Sequence, residues 1–334
     1  MRIIIDAFGG DYAPDEMIKG AALAVKEYGY DILLVGNEQT IRDRAAALNV
    51  SLDRIAIKHT EDVIGLHDEP RSVLKEHRSS SMAVGLQALA DGEGDAYISA
   101  GSTGALIMGA TFLVKRIKGI SRCALAPTMP GANGPFMLLD SGANVECRPE
   151  MLVQFAHMGS IYYSHVLGDG TPVRVGLINI GVEDTKGGEL QLEAYRLLKD
   201  SDLNFVGNVE AREIMSNEAE VLVADGFTGN VVLKLTEGVA MQLMKKIKAA
   251  FMTNIFTKLA ALVVKPQVQA IKASMDVSEF GGAPLLGVRK PVIKAHGNSD
   301  AKCIKNACRI AANFAASGTI EKIATVVSNK PGEE

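Results

Sequence analysis

Apolar runs that end in glycine-bearing turns and lead into helical periodicity fill the first hundred residues, and they constrain the fold more than any other feature. RIII (2–5) precedes the turn DAFGGDYAPDE, DILLVG (31–36) closes on glycine, RIAIKH (54–59) follows, and DAYISAG (95–101) runs into STGALIMG. Between them, apolar spacing predicts helices at 17–28, 38–48, 79–91 and 103–118. Strands that alternate with helices pair in parallel, because each crossover returns the chain to the same end of the sheet. Such strands are buried on both faces, which suits continuous apolar runs. The expected fold is α/β: a three-layer αβα arrangement around a mostly parallel sheet. Ligands of such sheets gather beyond the carboxyl ends of the strands. The DAFGGD, DVIG and SAGSTG turns should therefore share one face.

The middle of the chain reads differently. CALAPTMPG (123–131) and PFMLLDSGAN (135–144) look like two strands about a Pro/Gly turn, a hairpin signal. A helix at 149–164, the strand VRVGLINIG (173–181), an amphipathic ELQLEAYRLLKDS and the strands NFVGNVE and AEVLVADG follow. A long helix begins near Asn230, and the stretch from Ser299 onward is helical. At 334 residues the chain exceeds the size at which single cores stop growing. We expect a first αβα subdomain from 1–105 plus 281–334, interrupted by a second subdomain, 106–280, that carries dimer contacts and a projecting helical hairpin near 240–278.

A net charge of −4 gives no sign of a nucleic-acid partner. Cys123, Cys147, Cys303 and Cys308 form no CxxC pair, so reduced thiols are expected and a metal site is not. The N-terminus has acids where a signal peptide would be apolar, and no run approaches the ~18 apolar residues of a spanning helix. The expectation is a soluble, cytoplasmic protein.

Five loops carry donors. In SAGSTGA (99–105), Gly101 and Gly104 let the backbone approach closely, and Ser102 and Thr103 add hydroxyls at a helix N-terminus. An ordinary helix cap with glycines for packing reads equally well. In GVEDTKGGE (181–189), Lys186 is either a surface ion-pair residue or an ammonium placed to neutralise phosphate or a developing oxyanion. In ADGFTGN (224–230), Thr228 and Asn230 sit where a strand passes into a helix, with Asn230 either an N-cap or an oxyanion donor, and Asp225 a cap or orienting group. LLDSGAN (138–144) supplies Asp140, Ser141 and Asn144, and KAHGNSDAK (294–302) supplies His296, Asn298 and Ser299. Gly101, Ser102, Thr103, Gly104, Asn144, Thr228 and His296 are the candidates for holding an anion. There is no GxSxG elbow, HExxH motif or Cys/His pair in recognisable context, and neither the Walker nor the dinucleotide spacing is present. The loops therefore describe many donors around a free anion, with one lysine and no covalent nucleophile.

MRIIIDAFGGDYAPDE, EPRSVLKEHRSSSMAVGL, ISAGSTGAL, LLDSGANVECRPE, INIGVEDTKGGE, ADGFTGNVVLKLTEG and KAHGNSDAK, in that order, resemble the phosphate acyltransferases of bacterial phospholipid synthesis, the PlsX family. The resemblance covers nearly the whole chain. It implies a fold similar to the isocitrate/isopropylmalate dehydrogenases and phosphotransacetylases. It implies transfer of a long fatty acyl group from the acyl carrier protein thioester to inorganic phosphate, with Lys186 and Asn230 as the catalytic pair. It further implies a homodimer without a cofactor, cytosolic but associated with the membrane surface, whose acyl-phosphate feeds a membrane glycerol-3-phosphate acyltransferase.

AAFMTNIFTKLAALVVKP (249–266) places Phe251, Ile255, Leu259 and Leu262 at helical spacing, with Asn254, Lys258 and Lys265 opposite. A helix buried in the core or a dimer interface is one reading; an interfacial helix inserting its apolar face into a bilayer is the other, which the resemblance favours. Three rival functions remain: a phosphotransacetylase using coenzyme A thioesters, a metal- and NAD-dependent decarboxylating dehydrogenase, and a membrane-binding scaffold.

Overall fold

Ile3, Ile4 and Ile5 are fully buried in β1 (Arg2–Asp6), as a central parallel strand requires. This computed structural model describes residues 1–168, 170–216, 218–274 and 280–328. β1 pairs in parallel with β2 (Asp31–Gly36) on one side and β4 (Ala96–Ser99) on the other. β3 (Ile55–His59) extends the sheet beyond β2, and β12 (Val292–Lys294) lies parallel beside β4. β11 (Ala283–Leu286) and β5 (Ala124–Leu125) close it, each antiparallel to its neighbour. The seven-stranded order is β3-β2-β1-β4-β12-β11-β5.

A second sheet has the order β6-β7-β10-β8-β9. β7 (Gly134–Leu139), β10 (Val221–Val223), β8 (Arg174–Asn179) and β9 (Asn204–Glu210) run parallel, and β6 (Thr128–Gly131) is antiparallel at the edge. The expected 123–144 hairpin is therefore shorter than its sequence signal. β5 belongs to the other sheet, and the chain crosses at Pro127: the Ala126 N–H bonds Pro284 in the first sheet, whereas the Pro127 carbonyl accepts from Leu138 in the second. The DSGAN end of the run is a turn.

Helices cover both sheets. α1 (Asp15–Tyr28) packs on α9 (Ala301–Ala316), which brings the C-terminal part of the chain against the N-terminal strands. α2 (Glu38–Ala47) and α3 (Ser81–Ala90) fall where periodicity predicts them. α4 (Thr103–Gly109) continues as a π-helical stretch that stops at Lys115, short of the expected 118, because Lys115 adopts φ 72° and turns the chain away. α5 (Pro149–Tyr162) and α6 (Glu189–Lys199) back the second sheet, and α10 (Thr319–Ser328) packs on α5.

α7 (Gly226–Phe251) starts four residues before Asn230, and it buries only Gly226 and Gly229. α8 (Ile255–Ser274) folds back beside it, with the Asn254 side chain accepting from the Thr257 N–H at the turn. Ile255, Leu259 and Leu262 are 64, 55 and 67% exposed, while Phe251 is half-buried. This excludes packing of 249–266 in the core of its own chain. Among the described residues, no helix is long and apolar enough to cross a membrane.

The α1–α9 contact depends on Gly20. A Cβ there would lie 2.5 Å from the Ile304 Cβ and 3.0 Å from the Ala301 carbonyl oxygen. Gly20→Ala is therefore expected to destabilise the protein by about 1–3 kcal/mol through overpacking. A urea-unfolding midpoint equal to that of the parent would contradict it.

Candidate active site

Two fully buried carboxylates organise the two sheet edges. Asp6 ends β1 and accepts from Ser81 Oγ at 2.6 Å, Ser99 Oγ at 2.7 Å and the Phe8 N–H at 3.2 Å. Burial raises its pKa, and these donors oppose the rise. Ser99 Oγ in turn accepts the Gly101 N–H at 3.0 Å, which fastens the SAGSTG turn to β1. Gly9 permits the approach, because a Cβ there would stand 2.8 Å from the Gly101 nitrogen. The Asp11 N–H donates to the Gly297 carbonyl at 2.7 Å. The turns after β1, β4 and β12 are thus tied together at one edge.

Ser102 is the N-cap of α4, with Oγ accepting from the Ala105 N–H at 3.5 Å. Capping uses its lone pair and leaves its hydrogen to donate. The cap and the anion readings of this loop are therefore compatible. Among the described residues the Thr103 hydroxyl has no protein partner. Gly104 packs beneath, where a Cβ would meet the Pro70 ring at 2.8 Å.

Asp140 ends β7 in the second sheet. Its carboxylate accepts from the N–H groups of Leu125 at 2.9 Å, Ala143 at 3.1 Å and Asn144 at 2.6 Å, and from Asn144 Nδ2 at 2.9 Å. Burial raises its pKa against these bonds. Asn144 Nδ2 also donates to the Cys123 carbonyl at 2.7 Å, so both of its hydrogens are spent. Asn144 shapes the turn and has no amide hydrogen left for an anion, contrary to its place among the expected phosphate donors. Thr228 is corrected in the same way: its N–H and Oγ1 both donate to Asp225, at 2.9 and 2.8 Å. Asp225, not Asn230, is the N-cap of α7.

Asn230 is consequently free of capping duty. It is exposed one turn into α7, 3.5 Å from where a Cβ on Gly142 would be. Lys186 lies in the turn after β8, its Nζ 3.9 Å from Glu183 Oε1 and its side chain 45% exposed. Asn179 Nδ2 holds the Lys186 carbonyl at 3.0 Å, and Asn208 Nδ2 holds the Glu183 carbonyl at 2.8 Å. The strand order β7-β10-β8 sets the turns bearing Asp140, Asn230 and Lys186 side by side on one edge. No hydrogen bond joins Lys186 to Asn230.

The two edges meet along α7. Lys234 Nζ lies 3.4 Å from His296 Nε2, in the turn after β12. Lys294, the last residue of β12, points its ammonium at the carbonyls of Ala100, at 3.4 Å, and Ala295. Burial drives its pKa down to about 8, Lys234 adds to the fall, and Asp11 and Asp6 oppose it. Lys234 and Lys294 were not expected from the loops. Lys234 had a signal, since it stands four residues after Asn230 on the same helical face. Among the described residues, no three His, Cys, Asp or Glu side chains come together as a metal would require.

Solved α/β enzymes share the fold that presents this edge. A phosphotransacetylase from Streptococcus pyogenes superposes with TM-score 0.66 at 15% identity, covering 94% of each chain. A 4-hydroxythreonine-4-phosphate dehydrogenase from Klebsiella pneumoniae superposes with TM-score 0.56 at 10% identity, covering 94% of this chain and 99% of that one. At such identities the likeness is one of fold alone. Residues 1–322 match the family described as "Fatty acid synthesis protein", and a curated relative from Clostridium novyi, named "Phosphate acyltransferase", is 48% identical over 99% of each chain. The chain belongs to this family.

Because the folded state holds the Lys294 proton more weakly than the unfolded chain does, a cost to stability is present below about pH 8 and is relieved as pH rises toward the ordinary 10.5. Lys294→Met is expected to raise the thermal midpoint at pH 7, with the gap closing between pH 8 and 10.5. A variant less stable than its parent at pH 7 would overturn the account of this ammonium.

Proposed function

We propose that the joined sheet edges bind free phosphate and direct it at the thioester of a long-chain acyl group held by acyl carrier protein. The protein is a phosphate acyltransferase, an enzyme that transfers acyl groups to phosphate for phospholipid synthesis. The observation that carries the site assignment is the set of uncommitted donors around the α4 and α7 N-termini, beside Lys294 and His296, with no activated nucleophile among them. Cys147, which touches the turn beside the α7 N-terminus, donates to the Asn144 carbonyl, and burial pushes its pKa up to about 11. A neutral thiol is a poor nucleophile, which favours direct attack over an acyl-cysteine intermediate.

In this reading the Gly104 N–H and the hydroxyls of Ser102 and Thr103 hold phosphate, with His296 and Lys294 beside them; Gly101, expected among the donors, gives its N–H to Ser99 and shapes the turn instead. A phosphate oxygen forms the new bond to the carbonyl carbon. The C–S bond breaks, and the carrier's thiolate leaves. Lys186 and the Asn230 amide stabilise the oxyanion that forms between these events. A thiolate is a good leaving group, so positioning and charge screening are what the protein must supply.

The α7–α8 hairpin supports a second element of the proposal. Its exposed Ile255, Leu259 and Leu262, with Phe251 at their margin, suit an apolar face lying in one leaflet of a bilayer, with Lys258 and Lys265 toward the headgroups. A cytoplasmic homodimer held at the membrane surface would release acyl-phosphate where a membrane glycerol-3-phosphate acyltransferase consumes it.

Incubation with palmitoyl–acyl carrier protein and phosphate should yield acyl-phosphate that hydroxylamine traps as the hydroxamate. Palmitoyl-CoA serving as the better donor would favour a phosphotransacetylase-type reaction instead. Lys186→Ala should lower turnover by ~10²-fold or more with the fold intact; near-parental turnover would remove Lys186 from the mechanism. Leu259→Glu with Leu262→Glu should release the protein from anionic vesicles while sparing turnover of a soluble donor. Continued vesicle binding would dismiss the hairpin as the membrane contact.

A further inference from the structure

We propose that the surface built from the 115–122 segment, the turn after β11 and the start of α5 is the docking face for an acidic protein that carries the acyl thioester. The inference rests on the reading of the site as an acyltransferase centre. Lys115, Lys118, Arg122, Arg148, Arg289 and Lys290 are all exposed on this surface. Among the described residues, none of the six has a carboxylate within ion-pair distance. The chain as a whole is acidic, with net charge −4, and many of its other surface cations are paired: Arg42 with Glu38, Arg44 with Asp15, Arg54 with Asp31, Lys58 with Glu93. An unneutralised basic strip on an acidic protein is a local attractor for a negatively charged partner.

The strip is contiguous and rigidly held. The Arg289 N–H donates to the Lys115 carbonyl at 3.0 Å, and Arg289 Nε to the Arg116 carbonyl at 3.0 Å. The Arg116 guanidinium turns inward onto the Ser121 carbonyl. Gln154 of α5 clamps the same loop, accepting from the Ser121 N–H at 2.9 Å and donating to the Gly119 carbonyl at 3.1 Å. Five hydrogen bonds to backbone atoms fix the segment that carries the cations, so little backbone ordering is needed when a partner binds.

Position supplies the link to the reaction. Arg122 and Arg148 line a cavity of about 380 Å³ together with Glu146 and Cys147. Cys147 Sγ bonds the Asn144 carbonyl, which also receives the N–H of Gly226 at the start of α7. Cys147 thus joins the cavity wall to the turn that abuts Asn230. Phe112, one turn before Lys115, and Val145, beside the cavity, are 56 and 65% exposed and offer apolar contacts within the basic field. A second copy of this chain is a poor occupant, because a two-fold axis here would set like charges against each other. A bilayer fits less well than a protein. The strip lacks an apolar row to insert, and the α7–α8 hairpin has one.

The test uses the full-length enzyme at saturating phosphate and the variant Lys118→Glu/Arg289→Glu/Lys290→Glu, which touches no proposed catalytic residue. Palmitoyl–acyl carrier protein and palmitoyl-pantetheine serve as donors. KM for the carrier donor should rise about tenfold with kcat within twofold, as for rim charges that steer association, while palmitoyl-pantetheine kinetics stay unchanged. Unchanged carrier kinetics, or an equal loss with both donors, would overturn the proposal. So would unaltered carrier kinetics with lost binding to phosphatidylglycerol vesicles, which would assign the strip to lipid. If the triple variant does not fold, the parent decides: its KM for the carrier donor should climb with added KCl, and that for palmitoyl-pantetheine should not. A flat carrier profile refutes the docking face. Absence of acyl-phosphate from either donor with the parent enzyme would instead refute the acyltransferase reading.

Discussion

Asp140 holds the two sheets in register at the place where the loops converge. Its carboxylate is removed from water, and it takes N–H groups from Leu125 in one sheet and from the 143–144 turn in the other. A buried carboxylate with too few donors would be costly, whereas four donors offset its desolvation and fix its geometry. The Ser141 N–H and hydroxyl add two bonds to the Leu125 carbonyl. Against this turn sits α7, so close that a Cβ on Gly229 would fall 1.9 Å from the Asp140 carbonyl oxygen. The direction of α7 is set by that contact, and with it the positions of Asn230 and Lys234. Asp6 performs the corresponding task in the seven-stranded sheet, drawing Ser81, Ser99 and the Gly101 turn to one point. Each sheet thus has an acid that shapes the edge and leaves the anion-facing donors to other residues.

The cations follow a different logic. Lys294 and Lys234 lie close enough to disfavour each other's charge, with His296 beside Lys234, and Asp11 and Asp6 oppose this effect on Lys294. Burial costs the Lys294 ammonium more than those two acids return, as the fall of its pKa to about 8 records. An arrangement that disfavours its own charges in the empty state is stabilised when a dianion arrives. Inorganic phosphate suits such a site because it brings compact charge without a nucleoside or adenine to anchor, and the missing nucleotide fingerprints point the same way.

The elements were legible where burial on both faces dictated composition. RIII and DILLVG became central parallel strands, and VRVGLIN became a third in the other sheet. The turn glycines at 9, 101 and 229 mark close backbone approaches that a reader can suspect. The sequence could not display which sheet a short strand would join. CALAPTMPG is one apolar run, yet its two halves bond different sheets, because Pro127 interrupts the ladder at the crossing. Nor could it show which donors were already spent. Thr228 and Asn144 are the right residue types in the right loops, but Asp225 takes the first's hydrogens and Asp140 with the Cys123 carbonyl takes the second's. Lys294 was hidden because its burial is produced by three elements distant in sequence: β4, α7 and the 7–13 turn.

Charge segregation on the outer surface follows from the same economy of partners. Helix-borne ion pairs at spacings of three or four residues, such as Lys19 with Glu16 and Arg196 with Glu193, neutralise the flanks of the molecule. They are exposed, and each adds little stability. Their physical effect is instead to remove competing attractors, so that the cations left unpaired dominate the field. Those of the 115–122 strip and those of the hairpin lie on two surfaces of different texture. The hairpin mixes its lysines with a continuous apolar face, which suits a lipid interface; the strip is held by backbone hydrogen bonds and has only isolated apolar points. The reaction proposed above, which takes an acyl chain from a carrier protein and delivers it to a membrane, needs both kinds of contact at once. Separate surfaces allow the two to be occupied together, which a single shared patch would forbid.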